Sequence, residues 1–277
     1  FSYPRRPAAL DSRLRKEIES WGTSALANFP VHSVVCIERA AGRVRTWRKA
    51  QPGRAKRTPP ARLVKALIHT RYLPTALSNS GDHFYLPVLG RWMSPTEALR
   101  LFGYLPEASL VRAVSRKTTG LAAGGIMAAL GRSVHIGCAG QALSLAFHHV
   151  GHLESIRYAS SCSGIDAYAA ALEAMIGAKM RYVHAAEWRP SLAKALASTY
   201  SERGLTKEAV LKDARAFSHE VGPCEIWSFT PPCEKYSKRN HIRSEEATCM
   251  AANEVHEVLW YPRLWRPKII VAENVRD

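Results

Sequence analysis

The chain has 277 residues, 47% hydrophobic and 22% charged, enough to bury one substantial core plus a smaller appended region and too apolar for wholesale disorder. No stretch approaches the roughly 20 apolar residues needed to cross a bilayer, and Phe1-Ser2-Tyr3-Pro4-Arg5-Arg6 is not followed by the apolar core of a secretory signal. The formal charge of +16 points to a polyanionic partner.

The charge is unevenly spread. Residues 1–80 hold 16 Lys and Arg against 4 Asp and Glu, and residues 39–57 carry eight basic residues, no acid, and Trp47. Basic groups beside an aromatic suit phosphate contact with base stacking, and Arg43, Arg45 and Lys49 are the candidate nucleic-acid contacts here. The alternative is a solvated basic arm. The six cysteines (36, 138, 162, 224, 233 and 249) form no C-x-x-C pair and no zinc spacing. They read as reduced thiols of an intracellular protein.

In chain order, a short helix is expected near residues 11–21 and a strand at 31–38. Pro52, Pro59, Pro60 and Pro74 otherwise mark residues 1–90 as an irregular basic region. Residues 91–150 read as mostly helical. Ser94-Pro95 is a helix start, with the hydroxyl as cap and proline in the first turn, and 139–150 reads as a buried helix. His148, His149 and His152 have no acids beside them and read as helix-end and core residues, not metal ligands.

From residue 153 strand and helix alternate, the pattern of a parallel α/β sheet. Strands are expected at 155–161, 181–187, 224–229 and 268–272. Between them, Ile165, Tyr168, Ala169, Leu172 and Ile176 share a helical face ending at Gly177, residues 190–200 form a second helix, and Ser244 starts another. Ligands of such sheets bind beyond the carboxyl ends of the strands. Those ends carry Ser163-Gly164, Glu187, Thr230 to Cys233, and Glu273-Asn274.

Cys233 follows a strand and two prolines that stiffen its loop, and Lys235, Lys238 and Arg239 favour its thiolate. Glu273, ending another strand, supplies an acid that can hydrogen-bond a heterocycle while a thiolate attacks it. A structural cysteine and a surface carboxylate are the plainer readings of each residue alone.

Together these segments resemble the DNA cytosine-5 methyltransferase family. Pro231-Pro232-Cys233 resembles its catalytic Pro-Pro-Cys, and Glu273-Asn274-Val275 its Glu-Asn-Val. Ser163-Gly164-Ile165 matches part of its Ser-Gly-x-Gly cofactor loop. Glu187 resembles its acidic residue for the ribose hydroxyls, with Trp188 beside the adenine, and Asp213-Ala214 its adenine-contacting motif. The segment Arg91-Trp92-Met93-Ser94-Pro95-Thr96-Glu97-Ala98-Leu99-Arg100-Leu101-Phe102-Gly103-Tyr104 resembles the family's Arg-x-Leu-Thr-Pro-x-Glu-x-x-Arg-Leu-x-Gly-Phe. His135-Ile136-Gly137-Cys138-Ala139 resembles its Gln-Ile-Gly-Asn-Ala. In most members these last two motifs come at the end, so the order here resembles a circular permutation.

The resemblance spans about residues 91–275 and implies a Rossmann-like S-adenosylmethionine-dependent methyltransferase fold, a mainly parallel sheet flanked by helices, with residues 91–277 as the catalytic core. It implies Cys233, Glu273 and Asn274 as the catalytic set, Asn274 holding the catalytic loop. It implies Ser163, Gly164, Ile165, Glu187, Trp188, Asp213, Ala214 and Pro231 around S-adenosyl-L-methionine, and Lys235 and Ser237 against DNA. A monomer acting on DNA without metal or membrane is expected, nuclear in a eukaryote and cytoplasmic or nucleoid-bound in a bacterium or phage. A tRNA cytosine-5 methyltransferase and an inactive nucleic-acid-binding homologue are the alternatives.

The sequence departs from the family at Asp166, where a second glycine is usual, at Cys138 for Asn, and at Gly140-Gln141 for Val-Pro. The family's Gln-x-Arg-x-Arg strand and target-recognition region do not follow Glu273-Asn274-Val275. With no initial Met, the chain is expected to be a piece of a longer one, incomplete after that motif.

Overall fold

The computed structural model describes residues 91–150, 155–216, 220–231 and 255–274, together with the backbone of three earlier strands, β1 (Val34–Arg39), β2 (Val64–His69) and β3 (His83–Leu86). The chain forms two compact units, Phe1–Ala98 with Ala122–Arg132, and Leu99–Leu121 with Ser133–Asp277.

In the first unit β1, β2, β3 and β4 (Arg91–Trp92) form an antiparallel sheet ordered β2-β1-β3-β4. This corrects the reading of residues 1–90 as irregular. Pro59-Pro60 and Pro74 flank β2 on either side, so they bound the strand and remove none of its N–H donors. The strand expected at 31–38 is β1, shifted a few residues onward. The expected helix at 11–21 and the one starting at Ser244 lie outside the described residues.

Helix α1 (Pro95–Leu101) starts as a capping box: Ser94 Oγ accepts the Glu97 N–H at 3.2 Å, and a Glu97 carboxylate oxygen accepts the Ser94 N–H at 2.8 Å. It stops at Gly103, whose φ of +88° lets the Tyr104 N–H return to the Leu99 carbonyl at 3.1 Å.

Within the second unit, α2 (Ser109–Ser115) has no cap from its own chain neighbour, Ala108. Glu173 does that work from a distant segment, accepting the Ser109 N–H at 2.9 Å and the Ser109 hydroxyl at 2.5 Å while pairing with Arg203 at 3.0 Å. After α3 (Ala123–Leu130), a helix of the first unit, comes α4 (Ile136–Val150). It buries only Ile136, Ala139 and Leu143, and Leu145 is 63% exposed. The helix expected to be buried is therefore amphipathic, packed along one stripe against α5 and β9. His148 and His149 stand exposed in its last turn.

The remaining elements are β5 (Ile156–Ser161), α5 (Ala167–Ile176), β6 (Met180–Ala186), α6 (Pro190–Thr199), β7 (Val210–Leu211), β8 (Ile226–Phe229), α7 (Trp260–Trp265) and β9 (Ile269–Ala272). Ile165 precedes α5 and is not on its helical face, because the chain first turns through Asp166 at positive φ. Every strand pairing is parallel, in the order β7-β6-β5-β8-β9. This is a doubly wound, Rossmann-like sheet whose winding reverses between β5 and β8.

All four residues of β8 are buried. Trp227 stacks on Phe229 at 5.5 Å between ring centroids and leans on Tyr261 of α7 at 5.5 Å. These rings sit with Ala159, Ala186 and Val258 in one apolar cluster. Truncating a buried aromatic of this kind costs about 3–5 kcal/mol. Among the described residues no helix is long and apolar enough to cross a membrane.

Candidate active site

The five parallel strands end in one register row. Leu211 of β7 lies opposite Ala186 of β6, Ala186 opposite Ser161 of β5, Ser161 opposite Phe229 of β8, and Phe229 opposite Ala272 of β9. The candidate residues follow that row by one or a few positions: Asp213-Ala214, Glu187-Trp188, Ser163-Gly164-Ile165, Pro231 and Glu273-Asn274. Residues separated by more than a hundred positions thus share the carboxyl edge of one sheet. Cys233, Lys235, Ser237, Arg43, Arg45 and Lys49 lie outside the described residues.

The loop after β5 runs through three left-handed positions, Cys162 at φ +59°, Gly164 at +59° and Asp166 at +51°. Such a backbone favours glycine, and Asp is one of the few other residues that enter it readily. Asp166 also uses its side chain there: Oδ1 accepts the Ala169 N–H at 2.9 Å and caps α5. Among the described residues nothing beyond its chain neighbours lies within 4 Å of a Cβ built on Gly164, so the loop has open space there.

Glu187 is buried at the end of β6, 5% exposed. One carboxylate oxygen accepts the Gly164 N–H at 2.8 Å and the other the Arg189 N–H at 2.9 Å. Next to it Trp188 is 66% exposed, with the Arg189 guanidinium 5.2 Å from its ring centroid. A buried acid beside an exposed aromatic face is an arrangement that can accept hydroxyls and stack a flat heterocycle.

Asp213 stands at the surface and is engaged by Arg215, with contacts of 3.0 Å and 2.6 Å from the guanidinium and 2.9 Å from the backbone N–H. The Arg215 hydrogen bonds hold its pKa below the usual carboxylate value. Ala214 packs against the apolar cluster of β8.

Across the point where winding reverses, Thr230 ties the two loops together. Its N–H reaches the Ser161 carbonyl at 3.3 Å and its hydroxyl donates to the Cys162 carbonyl at 3.1 Å. Glu273 donates its N–H to the Phe229 carbonyl at 3.1 Å, and partial desolvation raises the pKa of its otherwise surface-facing carboxyl. Burial raises the Tyr168 phenol of α5 above its ordinary value, and the Glu273 and Asp166 carboxylates act in the same direction.

The two motifs that lie early in the chain also meet. The Ile136 N–H donates to the Phe102 carbonyl at 2.9 Å, and the rings of Phe102 and His135 stack with centroids 6.5 Å apart. A Cβ on Gly103 would stand 3.0 Å from His135 Cε1.

Thr230 and the supporting role of Asp166 escape a reading by motif. The available signal was Tyr158 and Tyr182, each central in an apolar strand, since a buried phenol needs a partner. Among the described residues no group of three or more His, Cys, Asp and Glu could hold a metal ion.

No protein family matches the chain, and no curated protein matches it. Solved structures do. One, from Pyrococcus horikoshii and titled provisionally as an RNA methyltransferase, is 22% identical over 43% of this chain and 55% of that one, with a TM-score of 0.28. The chain thus spans about half of that protein's length. TrmN from Thermus thermophilus is 10% identical over 88% of this chain and 90% of that one, with a TM-score of 0.38. The fold assignment rests on the parallel sheet and its strand order.

Proposed function

We propose that the chain is an S-adenosylmethionine-dependent methyltransferase that modifies C5 of cytosine in DNA, with Cys233 as its nucleophile. The observation that carries this reading is the register row. It lines up the cofactor-loop residues, Glu187, Asp213, the Pro231 strand end and Glu273 along the edge where doubly wound sheets bind ligands. The order along that edge agrees with the roles the family resemblance implies.

The residues present fit the cofactor. The open space at Gly164 admits it against the loop formed with Ser163 and Ile165. Glu187, a buried carboxylate just past the end of β6, accepts ribose hydroxyls in this reading. Trp188 offers a face to the adenine, Asp213 and Ala214 its edge, and Pro231 the methyl-bearing end. S-adenosylmethionine, when bound, supplies an electrophilic methyl group.

The chain's own residues prepare the acceptor. A target cytosine must leave the stack to reach a site at the sheet edge. Cys233, as the thiolate, forms a bond to C6, and the C5–C6 π electrons shift onto C5 and through C4 to N3, which makes C5 nucleophilic. Glu273 hydrogen-bonds around N3 and the exocyclic amine and offsets the charge that develops there. After C5 gains the methyl group it loses its proton to base. The C6–sulfur bond then breaks, which restores the double bond and the thiolate. Arg43, Arg45, Lys49, Lys235 and Ser237 contact the nucleic acid backbone in this reading.

Methyl transfer from radiolabelled S-adenosylmethionine to duplex DNA, with tRNA assayed in parallel, tests the proposal. Transfer to DNA that is abolished by Cys233→Ala is expected. Transfer to tRNA alone would move the substrate to RNA. Transfer to neither would support the inactive homologue.

A further inference from the structure

Beneath the cofactor loop lies a buried network of hydroxyl groups with Asp166 at its centre. Asp166 is 4% exposed. Tyr158 of β5 donates to its Oδ1 at 2.7 Å, Tyr182 of β6 donates to its Oδ2, and the Ala169 N–H also reaches Oδ1. Burial pushes both phenols well above the ordinary tyrosine value, so each keeps its single proton and spends it on the carboxylate. That fixes the direction of the next bond out from each.

With its proton committed, the Tyr158 oxygen can only accept from Ser228 of β8, 2.6 Å away. The Tyr182 oxygen likewise accepts from Ser160 at 2.5 Å, and Ser160 lies 2.5 Å from the Ser163 hydroxyl, which also reaches the Ala186 carbonyl at 3.1 Å. Two chains result. One runs Ser163, Ser160, Tyr182, Asp166, and the other Ser228, Tyr158, Asp166. Both end on one carboxylate, and hydrogen bonds that point the same way along a chain strengthen one another.

The two chains start at functionally distinct places. Ser163 belongs to the cofactor loop. Ser228 lies on the strand that leads to Thr230, Pro231 and Cys233. We infer that Asp166 is a positioning residue: as the shared terminal acceptor it holds the cofactor loop on one side of the winding reversal and the strand leading to the nucleophile on the other. The inference rests on the proposed function, and it reads the departure from glycine at this position as a gained device. Neither the left-handed backbone nor the helix cap alone needs the six-residue hydroxyl network.

Calorimetric titration with S-adenosylmethionine tests it, using wild type, Asp166→Gly, Asp166→Asn, Tyr182→Phe and Tyr158→Phe, each checked for a native far-ultraviolet spectrum. Glycine accepts φ +51° freely and removes the carboxylate, both as acceptor for the two phenols and as cap of α5. Its affinity should fall about tenfold or more, because two buried phenols and the α5 N-terminus lose their shared acceptor. Asn, which retains an acceptor oxygen, should recover most of that loss. Tyr182→Phe cuts only the Ser163 chain and should raise the cofactor Kd. Tyr158→Phe cuts only the Ser228 chain and should lower the single-turnover rate with the Kd unchanged.

An Asp166→Gly protein that binds like wild type overturns the inference, as do tyrosine variants with identical profiles. If Asp166→Gly fails to fold, the tyrosine pair still decides. Wild type that does not bind S-adenosylmethionine overturns the cofactor reading itself, and the inference with it.

Discussion

The Glu187 carboxylate and the Gly164 N–H are joined at 2.8 Å, so the acid that ends β6 directly fixes the loop that follows β5. One residue therefore shapes the loop after β5. Replacing Glu187 with Ala strands the Gly164 and Arg189 N–H groups and, under the proposed function, removes the ribose acceptor. S-adenosylmethionine affinity should fall about 10- to 100-fold, the range for hydrogen bonds to a charged group. Calorimetry checks this. Unchanged affinity would mean that the cofactor does not lie against β6.

Trp188 separates binding from folding. At 66% exposed it contributes little to the core, so Trp188→Ala should leave the melting temperature within about 2 °C of wild type. If its ring carries the adenine, affinity drops about tenfold, the order of an aromatic stacking contact. Quenching of tryptophan fluorescence by the cofactor should weaken in the same variant.

Gly103 is the converse case, a position where stability alone is at stake. Its φ of +88° is strained for any side chain, and an added Cβ would stand 3.0 Å from His135 Cε1 and 3.3 Å from Ile136 Cβ. Gly103→Ala should destabilise the second unit by about 1–2 kcal/mol from the backbone alone, with crowding added. Urea unfolding measures it. A neutral result would show that the two early motifs do not meet as described.

The base of the sheet carries a pH-dependent clamp. Burial acts to raise the Glu225 carboxyl, but hydrogen bonds from Arg157 outweigh it and hold the pKa below the usual value. The guanidinium contacts it at 2.7 Å and the Arg157 backbone N–H at 2.6 Å. A depressed folded-state pKa means the unfolded chain binds more protons in this window. The contribution is thus complete above the ordinary carboxylate pKa and is lost as pH falls through the depressed one. Arg157 is substantially exposed, so solvent screening limits the pair to about 1 kcal/mol or less. Urea midpoints from pH 7 to pH 3 should fall less steeply in Glu225→Gln than in wild type.

The parallel sheet was legible because strands buried on both faces are apolar runs that stand out between helices. Residues 155–161 and 268–272 were found nearly to the residue for that reason. Strand β7 was missed: Val210-Leu211 is two residues long and carries no period. In the first unit β1 was legible, while β2 was hidden by neighbouring prolines, which in the structure lie outside the strand. The family resemblance points to Ser163, Glu187 and Glu273, and the register row brings their strand ends to one sheet edge. Asp166 reads in the sequence only as a departure from glycine, since Tyr158 and Tyr182 meet its carboxylate only after folding.

The most direct measurement is covalent trapping on duplex DNA containing 5-fluorocytosine in the presence of S-adenosylmethionine. Fluorine at C5 cannot leave as a cation, so a nucleophile that has added to C6 stays bonded after methyl transfer. The account predicts a protein–DNA band that survives denaturation, requires the cofactor, and vanishes in Cys233→Ala. A band of equal strength in Cys233→Ala, or methylated DNA formed without any trapped species, would contradict it.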